Sequence, residues 1–516
     1  MSDFNANWPD VRIGDVYFVI GQPGSPTRRD WARIGKTQWF QGLTGNTDHP
    51  IPEIALRDLY NEHCFRKGQE PGWVKHLSAS MRHEMHYGWL TGDYFEPFGI
   101  LPHRRDLGFA FAVKSDGMVH DVCIALNVFR LDGIKQLGFL HDPVVNNDGA
   151  DIGLAMRFHH TRFMHSLLVM ATVSLIGKQV GLSEYEIKHL QIAALTHDVL
   201  TPAGGDSVKP IDFAGFDEDA HYAEVFHNNP EWEQVRNQYE LDEALLTSIV
   251  GGQGVLGQLL DIADKTSYVA HDLDAFLMMT DPRKYSWIVP PQGLLDIWNL
   301  REAIEPETCK LWDKVRIIDG QVVITDPRRL AGFLKLRALM FRHLYQNPRA
   351  RYREQMLSVL ILEPFYHEGV VTREQLLKMG DYELEQLLGQ LTGLPDFRIE
   401  MSHTWHAPDI ESFPDLEHAL ARLRAIAHVK PKTLFMLEVF PQPSKKAVWY
   451  LVLDGRKEVR PLAEAFPKLA TDILDSGVDH EPAKLYILSQ EKTRRIIPKQ
   501  LHRKLRARQR VQFSLE

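Results

Sequence analysis

Cysteine is scarce in this 516-residue sequence: Cys64, Cys123 and Cys309 are too few and too scattered for a disulfide framework or a four-thiolate zinc site. An excess of positive charge is also missing. Lys+Arg number 59 against 68 Asp+Glu, a net charge of −9, which argues against a protein that coats nucleic acid with its whole surface. Long hydrophobic runs are absent. The stretch Leu167–Ile176 is interrupted by Thr172 and Ser174 and is too short to span a bilayer, so no membrane partner is expected. The opening residues MSDFNANWPDVRIGD lack a basic segment followed by an apolar run, so no signal peptide is expected. With so few thiols, the expected location is cytoplasmic. Gly251-Gly252-Gln253-Gly254 lacks the lysine and the strand–loop–helix setting of a P-loop, and no Ser-His-Asp or Cys-His arrangement has motif support.

What is present is ordinary for a globular chain, 44% hydrophobic and 25% charged, and the length predicts two to four domains. Residues 1–106 carry no chemical motif. Gly21, Pro23, Gly24, Pro26, Gly42 and Gly45 punctuate them, which predicts an irregular region with short helices near Ile54–Cys64 and Trp73–Tyr87. Residues 107–395 read as a helical domain. Phe163, Leu167, Leu168, Ala171 and Leu175 recur at three- and four-residue steps, Gly177 and Gly181 then signal an end, and Ser183 with Glu186 forms a capping box that opens Glu184–Thr196. Further helical patterns cover Val255–Leu277, Leu330–Leu344, Arg349–Leu362 and Val371–Leu391. Residues 396–516 read as a small α/β module. Thr433–Val439 and Ala447–Leu453 flank a Pro/Ser/Lys turn and predict a hairpin, with Lys484–Leu488 as a third strand. The expected class is therefore mainly α, with an irregular N-terminal region and a small α/β C-terminal module.

The tail is charged against the rest. Residues 491–516 hold nine Lys/Arg and two Glu, a net of +7, which leaves −16 on residues 1–490. The run Arg503 to Arg510 makes nucleic acid a candidate partner; a solvated tail, or a helix pairing with an acidic face, is the simpler explanation.

The chemistry concentrates in the helical part. His-Asp occurs at 120–121, 141–142, 197–198 and 271–272, so the dipeptide alone means little. His197-Asp198 stands apart because it ends the apolar run Ile192–Thr196. His165 lies 32 residues before His197 inside the preceding apolar helix, and Asp264 lies 66 residues beyond Asp198 inside another. Each of the four, taken alone, is explained by ordinary hydrogen bonding in a core. Together, two imidazoles and two carboxylates from three helices can ligate one divalent cation and leave positions for water and substrate. That donor mixture suits Mn, Fe, Zn or Mg and does not choose among them. His159-His160 are a further candidate for widening such a site, or simply exposed residues at a helix entry.

The order His165 … His197-Asp198 … Asp264 resembles that of the HD-domain phosphohydrolases. Arg162-Phe163-Met164-His165-Ser166-Leu167 is similar to the R-F-x-H-S-L segment of the deoxynucleoside triphosphate triphosphohydrolase branch. Phe129–Gly138 is similar to that branch's helix ahead of the first ligand. Asp264-Lys265-Thr266-Ser267-Tyr268, with Asp272 beyond, resembles its D-K-x-x-Y-x-x-x-D segment, and Arg337 with Tyr345 its R-x7-Y pair. The likeness covers roughly residues 107–365 and implies an HD-domain helical core. It implies that His165, His197, Asp198 and Asp264 are metal ligands and that Arg162, Lys265 and Arg337 hold a triphosphate. It also implies that Tyr268, Asp272 and Tyr345 border the sugar, that Gln136 and Leu137 lie near base or sugar, and that the protein is a homo-oligomer. The implied reaction is hydrolysis of a deoxynucleoside triphosphate to deoxynucleoside and tripolyphosphate.

The sequence departs from that branch after the HD pair. Thr201 and Asp206 stand where the branch usually has histidines. Gly205-Asp206 is similar instead to the related 5′-deoxynucleotidase branch, which normally carries a carboxylate at the position of Thr201. Asp206 and His221 are therefore the candidates for acid–base work. Asp206 also has a simple alternative as a turn residue capping its own backbone. Hydrolysis of another phosphoester, such as a nucleoside monophosphate, and nucleotide binding without turnover are the competing functions.

Overall fold

The computed structural model describes residues 11–13, 16–20, 85–91, 108–114, 117–138, 161–277, 311–393, 409–429, 433–443 and 448–488. Among these the chain is mainly α, with its strands in three small sheets.

The first sheet adds strands that the sequence reading did not expect. Strands β1 (Val11–Ile13), β2 (Val16–Ile20), β3 (Met85–Thr91) and β4 (Gly108–Lys114) pair antiparallel in the order β1-β2-β4-β3. In β4 the large residues Phe109, Phe111 and Val113 alternate with smaller ones, a period of two that suits a strand and not the helical run expected from residue 107. The helix expected over Trp73–Tyr87 gives way to β3 at Met85–Tyr87, and Ile54–Cys64 lies outside the described residues.

The helical core follows. Helix α1 (Met118–Ala125) leads into a 3-10 turn, Val128–Gly133. A short β-bridge, Lys135 to Thr161, comes next, so Phe129–Gly138 is not the α-helix the resemblance implied. Helix α2 (Arg162–Val180) starts where the Thr161 side chain accepts the Met164 N–H and stops at Gly181, whose φ of +77° favours glycine. Helix α3 (Glu184–Thr196) opens on the predicted capping box of Ser183 and Glu186. Helices α4 (Pro230–Tyr239), α5 (Glu243–Val250) and α6 (Gly254–Leu277) complete the bundle around α2 and α3. Helix α2 is long and apolar enough to cross a membrane, yet 72% of its apolar window is buried by the rest of the chain. Phe163, Leu167, Val169 and Ile176 are fully enclosed, and each such side chain contributes about 1.5–3 kcal/mol on burial.

Two more sheets flank this core. Strands β5 (Val315–Ile318) and β6 (Gln321–Ile324) form a hairpin across Asp319 and Gly320, both at positive φ. Helix α7 (Pro327–Met340) runs into a π-turn, Phe341–Tyr345, and α8 (Pro348–Gln355) into another, Met356–Leu362. The pattern expected over Val371–Leu391 is two helices, a short one at Arg373–Lys378 and α9 (Asp381–Thr392).

The C-terminal portion is α/β, as predicted, but its strands pair differently. Strand β7 (Asp409–Phe413), helix α10 (Leu416–Val429), β8 (Leu434–Val439) and the late strand at Ala483–Leu488 form one unit, in which that late strand lies between β7 and β8. The strand Leu451–Leu453, here β9, does not pair with β8. It pairs antiparallel with β10 (Val459–Pro461) and parallel with β6, thereby joining the hairpin of the helical core. The expected hairpin does not form. Pro441 and Pro443 follow β8 and have no N–H for a ladder, and Ala483–Leu488, now β11, offers six registered partners instead. Helix α11 (Pro467–Gly477) then packs on α7.

Candidate metal centre

Three helices deliver the four predicted ligands to one place. His165 lies in the first turn of α2, His197 caps the C-terminus of α3 with Asp198 directly after it, and Asp264 sits within α6. His165 Nε2 lies 2.9 Å from Asp264 Oδ1, and His197 Nε2 lies 3.7 Å from the same oxygen. One ligand atom from each of His165, His197 and Asp264 falls within 4.8 Å of the others. Asp198 closes the group, with Oδ1 3.6 Å from His197 Nε2 and Oδ2 4.0 Å from His165 Nε2.

The donor set fits a divalent cation. His197 Nδ1 donates to the Ala194 carbonyl at 2.8 Å, which orients the ring and turns Nε2 toward the carboxylates. His165 Nδ1 is buried with no hydrogen-bond partner among the described residues, so its Nε2 is the atom committed to the group. Without a cation, the electrostatics show how tightly the four are packed. Burial disfavours the His197 imidazolium, but Asp198 and Asp264 outweigh it and raise the pKa to about 9. Burial likewise pushes the Asp264 carboxyl up, and hydrogen bonds from His165 and His197 bring it well below the usual carboxylate range.

Arg162 joins this group to a second one. Its Nη1 donates to Asp198 Oδ2 at 3.0 Å and its Nη2 to Asp206 Oδ2 at 2.5 Å. Asp206 Oδ1 receives Lys209 Nζ at 2.8 Å, Lys209 also reaches Glu218 at 2.9 Å, and Thr201 Oγ1 donates to Glu218 at 2.5 Å. Desolvation in the cluster raises the Asp206 carboxyl, and the charges of Arg162 and Lys209 overcome it and hold it deprotonated. Asp206 is thus an ion-pair partner of Arg162 and not a cap on its own turn. Thr201 is fully buried and holds the Glu218 carboxylate beside the loop that follows the HD pair.

The loop carrying Thr201 and Asp206 is held from outside. Arg130 donates to the carbonyls of Val199 at 2.8 Å, Thr201 at 2.9 Å and Met379 at 3.1 Å. Asp381 accepts the Gly204 and Lys135 N–H groups at 2.7 and 2.9 Å. At Gly138, with φ of +52°, an added Cβ would lie 2.4 Å from both the Gly204 carbonyl and Ser207 Oγ, so only glycine lets the two turns meet.

The remaining predicted residues fall into a neighbouring cluster. Lys265 Nζ donates to Asp261 at 2.6 Å and to the Tyr450 hydroxyl at 3.0 Å. Arg337 Nε donates to the Tyr268 hydroxyl, and its guanidinium lies 4.6 Å from the centre of the Phe341 ring. Tyr345 donates to Asp272 at 2.6 Å, and the rings of Tyr268 and Tyr345 meet edge-on at 6.4 Å. Because Asp261, Lys265, Tyr268 and Asp272 are spaced by three or four residues on α6, one helix face carries them all beside Asp264.

Other predicted residues stand apart from these bonds. His221 Nδ1 contacts Glu224 at 2.6 Å and Nε2 contacts the Ala214 carbonyl at 2.9 Å, so both ring nitrogens face acceptors outside the metal group. Its pKa is raised, first by the Glu224 bond. Gln136 is buried, with Oε1 unpartnered among the described residues, and Leu137 packs half-buried against the core. His159-His160 and residues 491–516, the basic tail included, lie outside the described residues. Sequence reading missed Arg130, Lys209, Glu218, Asp261 and Tyr450. A signal existed for Asp261, one helical turn before Lys265 and of opposite charge; nothing local marked Tyr450.

No protein-family profile matches the sequence, and no curated protein matches it. Solved structures do. A hypothetical protein from Aquifex aeolicus is similar over 77% of this chain and 96% of its own, at 17% identity and a TM-score of 0.50. A phosphohydrolase from Bacteroides thetaiotaomicron is similar over 73% of this chain and 96% of its own, at 16% identity and a TM-score of 0.51. At these identities the likeness establishes a shared fold, and the fold is that of a solved phosphohydrolase.

Proposed function

We propose that this chain is a metal-dependent HD-type phosphohydrolase acting on deoxynucleoside triphosphates, with deoxynucleoside and tripolyphosphate as products. The observation that carries the reading is the meeting of His165, His197 and Asp264 within 4.8 Å, with Asp198 adjoining and Arg162 hydrogen-bonded to Asp198. A phosphohydrolase of the same fold supports the reaction class.

His165, His197, Asp198 and Asp264 would hold the cation, which when bound supplies a water of lowered pKa and polarises a phosphoryl oxygen. The chain's own residues do the rest. Arg162 keeps Asp198 oriented and presents guanidinium charge beside the phosphoryl group. Lys265 and Arg337 add charge along the face of α6 and α7. Asp206, held ionised, is an acceptor able to orient a water; His221, with both ring nitrogens on acceptors, serves as a cationic cross-link in this arrangement. Tyr268, Tyr345 and Asp272 offer a phenol-and-carboxylate surface for a sugar hydroxyl.

A second reading has a specific observation in its favour. Arg162 is already shared by two carboxylates, which leaves less of its charge for a triphosphate and suits a smaller phosphoester such as a nucleoside monophosphate. The deciding experiment is a product assay by ion-exchange chromatography on metal-stripped protein given Mn, Fe, Mg or Zn. Tripolyphosphate and deoxynucleoside, lost in His197→Ala and Asp264→Ala, support the proposal. Orthophosphate, or turnover of monophosphates alone, moves the chain to the second reading. Nucleotide binding without product under every metal sinks both.

A further inference from the structure

The C-terminal segment reaches into this cluster through one side chain. Tyr450 directly precedes β9, and its backbone is fixed from two sides: the Leu462 N–H donates to its carbonyl at 2.8 Å, and β9 pairs with β10 and β6. The sheet therefore sets where the phenol points. Its hydroxyl accepts from Lys265 Nζ at 3.0 Å and donates to Asp261 Oδ2 at 3.1 Å, while the ammonium lies 5.5 Å from the centre of its ring. Asp261, one turn before Lys265 on α6, takes the same ammonium at 2.6 Å. Lys265 is adjacent in sequence to Asp264 and shares its helix face with Tyr268, so it is the cation nearest in sequence to the metal group.

We propose that Asp261 and Tyr450 form a latch on Lys265 that sets which anions the site accepts. They hold the ammonium and offset its charge. An entering anion has to take it from them. A polyphosphate, with several charges and many acceptor oxygens, competes well against one carboxylate and one phenol; a single weak anion does not. Asp261 and Tyr450 are positioning residues, acting through Lys265. The inference rests on the proposed anion site and deepens it. It also gives the C-terminal segment a role, since Tyr450 is delivered by a strand outside the helical bundle.

The test is calorimetric titration of the full, manganese-loaded chain with inorganic tripolyphosphate. Wild type would be set against Asp261→Asn, Tyr450→Phe, Lys265→Met and the double variant Asp261→Asn/Lys265→Met. Removing the counter-charge of a partly exposed pair is expected to tighten binding by about twofold to fivefold in Asp261→Asn. Tyr450→Phe tightens it by less, and the Asp261→Asn gain does not survive without Lys265. Loss of fold or of packing moves affinity the other way, so the sign separates a latch from a support. Should Asp261→Asn misfold, Tyr450→Phe decides alone. Unchanged or weaker binding in these variants, with tripolyphosphate still bound by wild type, overturns the latch. A wild-type chain that binds no tripolyphosphate overturns the proposed function itself.

Discussion

His165 on α2 and Asp264 on α6 are 99 residues apart in sequence and meet through Nε2 and Oδ1 at 2.9 Å. His197 reaches the same oxygen from the end of α3. Three helices that pack for apolar reasons therefore converge on a polar centre, and the cost of burying it is met by mutual pairing among two imidazoles, two carboxylates and Arg162.

That pairing makes metal binding pH-dependent. In the metal-free chain the His197 imidazolium persists to about pH 9, and a cation must displace its proton. The sign follows from the raised pKa. The His197 contribution to the metal-free fold is fully present below about pH 6.5 and is lost as pH rises through about 9. Metal affinity moves oppositely, rising up to about tenfold per pH unit across that window. The rise in melting temperature on adding manganese to chelated protein is expected to grow from pH 6.5 to 9 and then level off. A shift that is constant with pH would rule this out, and His197→Ala is expected to show none of the dependence.

Arg162 is the hinge between the metal group and the loop that follows the HD pair. It is almost fully enclosed and donates separately to Asp198 and Asp206, so its removal takes a charge partner from one buried carboxylate and from one partly exposed carboxylate that keeps Lys209. Arg162→Ala is expected to lower stability by about 3 kcal/mol, the low end for breaking a buried pair because Asp206 keeps access to water. Arg162→Lys is expected to recover little, since one ammonium cannot reproduce the two-pronged contact. Urea unfolding midpoints measure both, and full recovery in the lysine variant would contradict the geometry.

Much of this centre is legible in the sequence, because helix-borne residues obey local rules. The capping box at Ser183 fixes the start of α3, and the apolar run Ile192–Thr196 marks the last turn, after which His197 and Asp198 follow. The spacing of Lys265, Tyr268 and Asp272 places them on one face of α6. What sequence hides is the contact between distant elements. Arg130 pins a loop 69 and 71 residues away. Tyr450 meets Lys265 across 185 residues. The misread hairpin has the same origin. Residues 434–439 and 451–453 have good strand chemistry, but their partners are β11 in one case and β6 with β10 in the other, and local propensity carries no information about partner choice. The hairpin of β5 and β6 was missed inside a region read as helical, although Asp319-Gly320 between two β-branched runs is a local turn signal for it.

Asp381 supports the loop after the HD pair through backbone contacts, close to the Arg130 guanidinium. Its two oxygens accept two backbone N–H groups, those of Gly204 and Lys135, which come from the loop after the HD pair and from the turn before α2. Asp381→Ala leaves both donors without their acceptor. A cost of about 2 kcal/mol or more is expected, at about 1–3 kcal/mol for each stranded buried group. Because the same loop carries Asp206, turnover in the product assay is expected to fall more steeply than metal affinity does. Equal losses in the two would mean that Asp381 acts on the whole fold and not on the loop.

Glu354 supplies a pH-sensitive tie between the helical core and the C-terminal unit. It accepts from Ser207, next to Asp206, and from Arg351 at 2.5 Å each; Arg351 also reaches Glu438 on β8 at 2.5 Å. Burial is the main cause of its raised pKa, which lies at about 7 against an ordinary value of 4.5. The unfolded chain releases this proton first, so the folded chain binds more protons between those values. Stability is therefore expected to fall as pH rises from about 4.5 to 7, by at most about 1.4 kcal/mol per unit. Glu354→Gln keeps an acceptor for Ser207 and Arg351 but cannot ionise, so its stability profile is expected to be flatter across that interval. Chemical unfolding at half-unit pH steps compares the two chains. If they keep parallel slopes, another group carries the dependence and Glu354 is an ordinary ion-pair partner of Arg351.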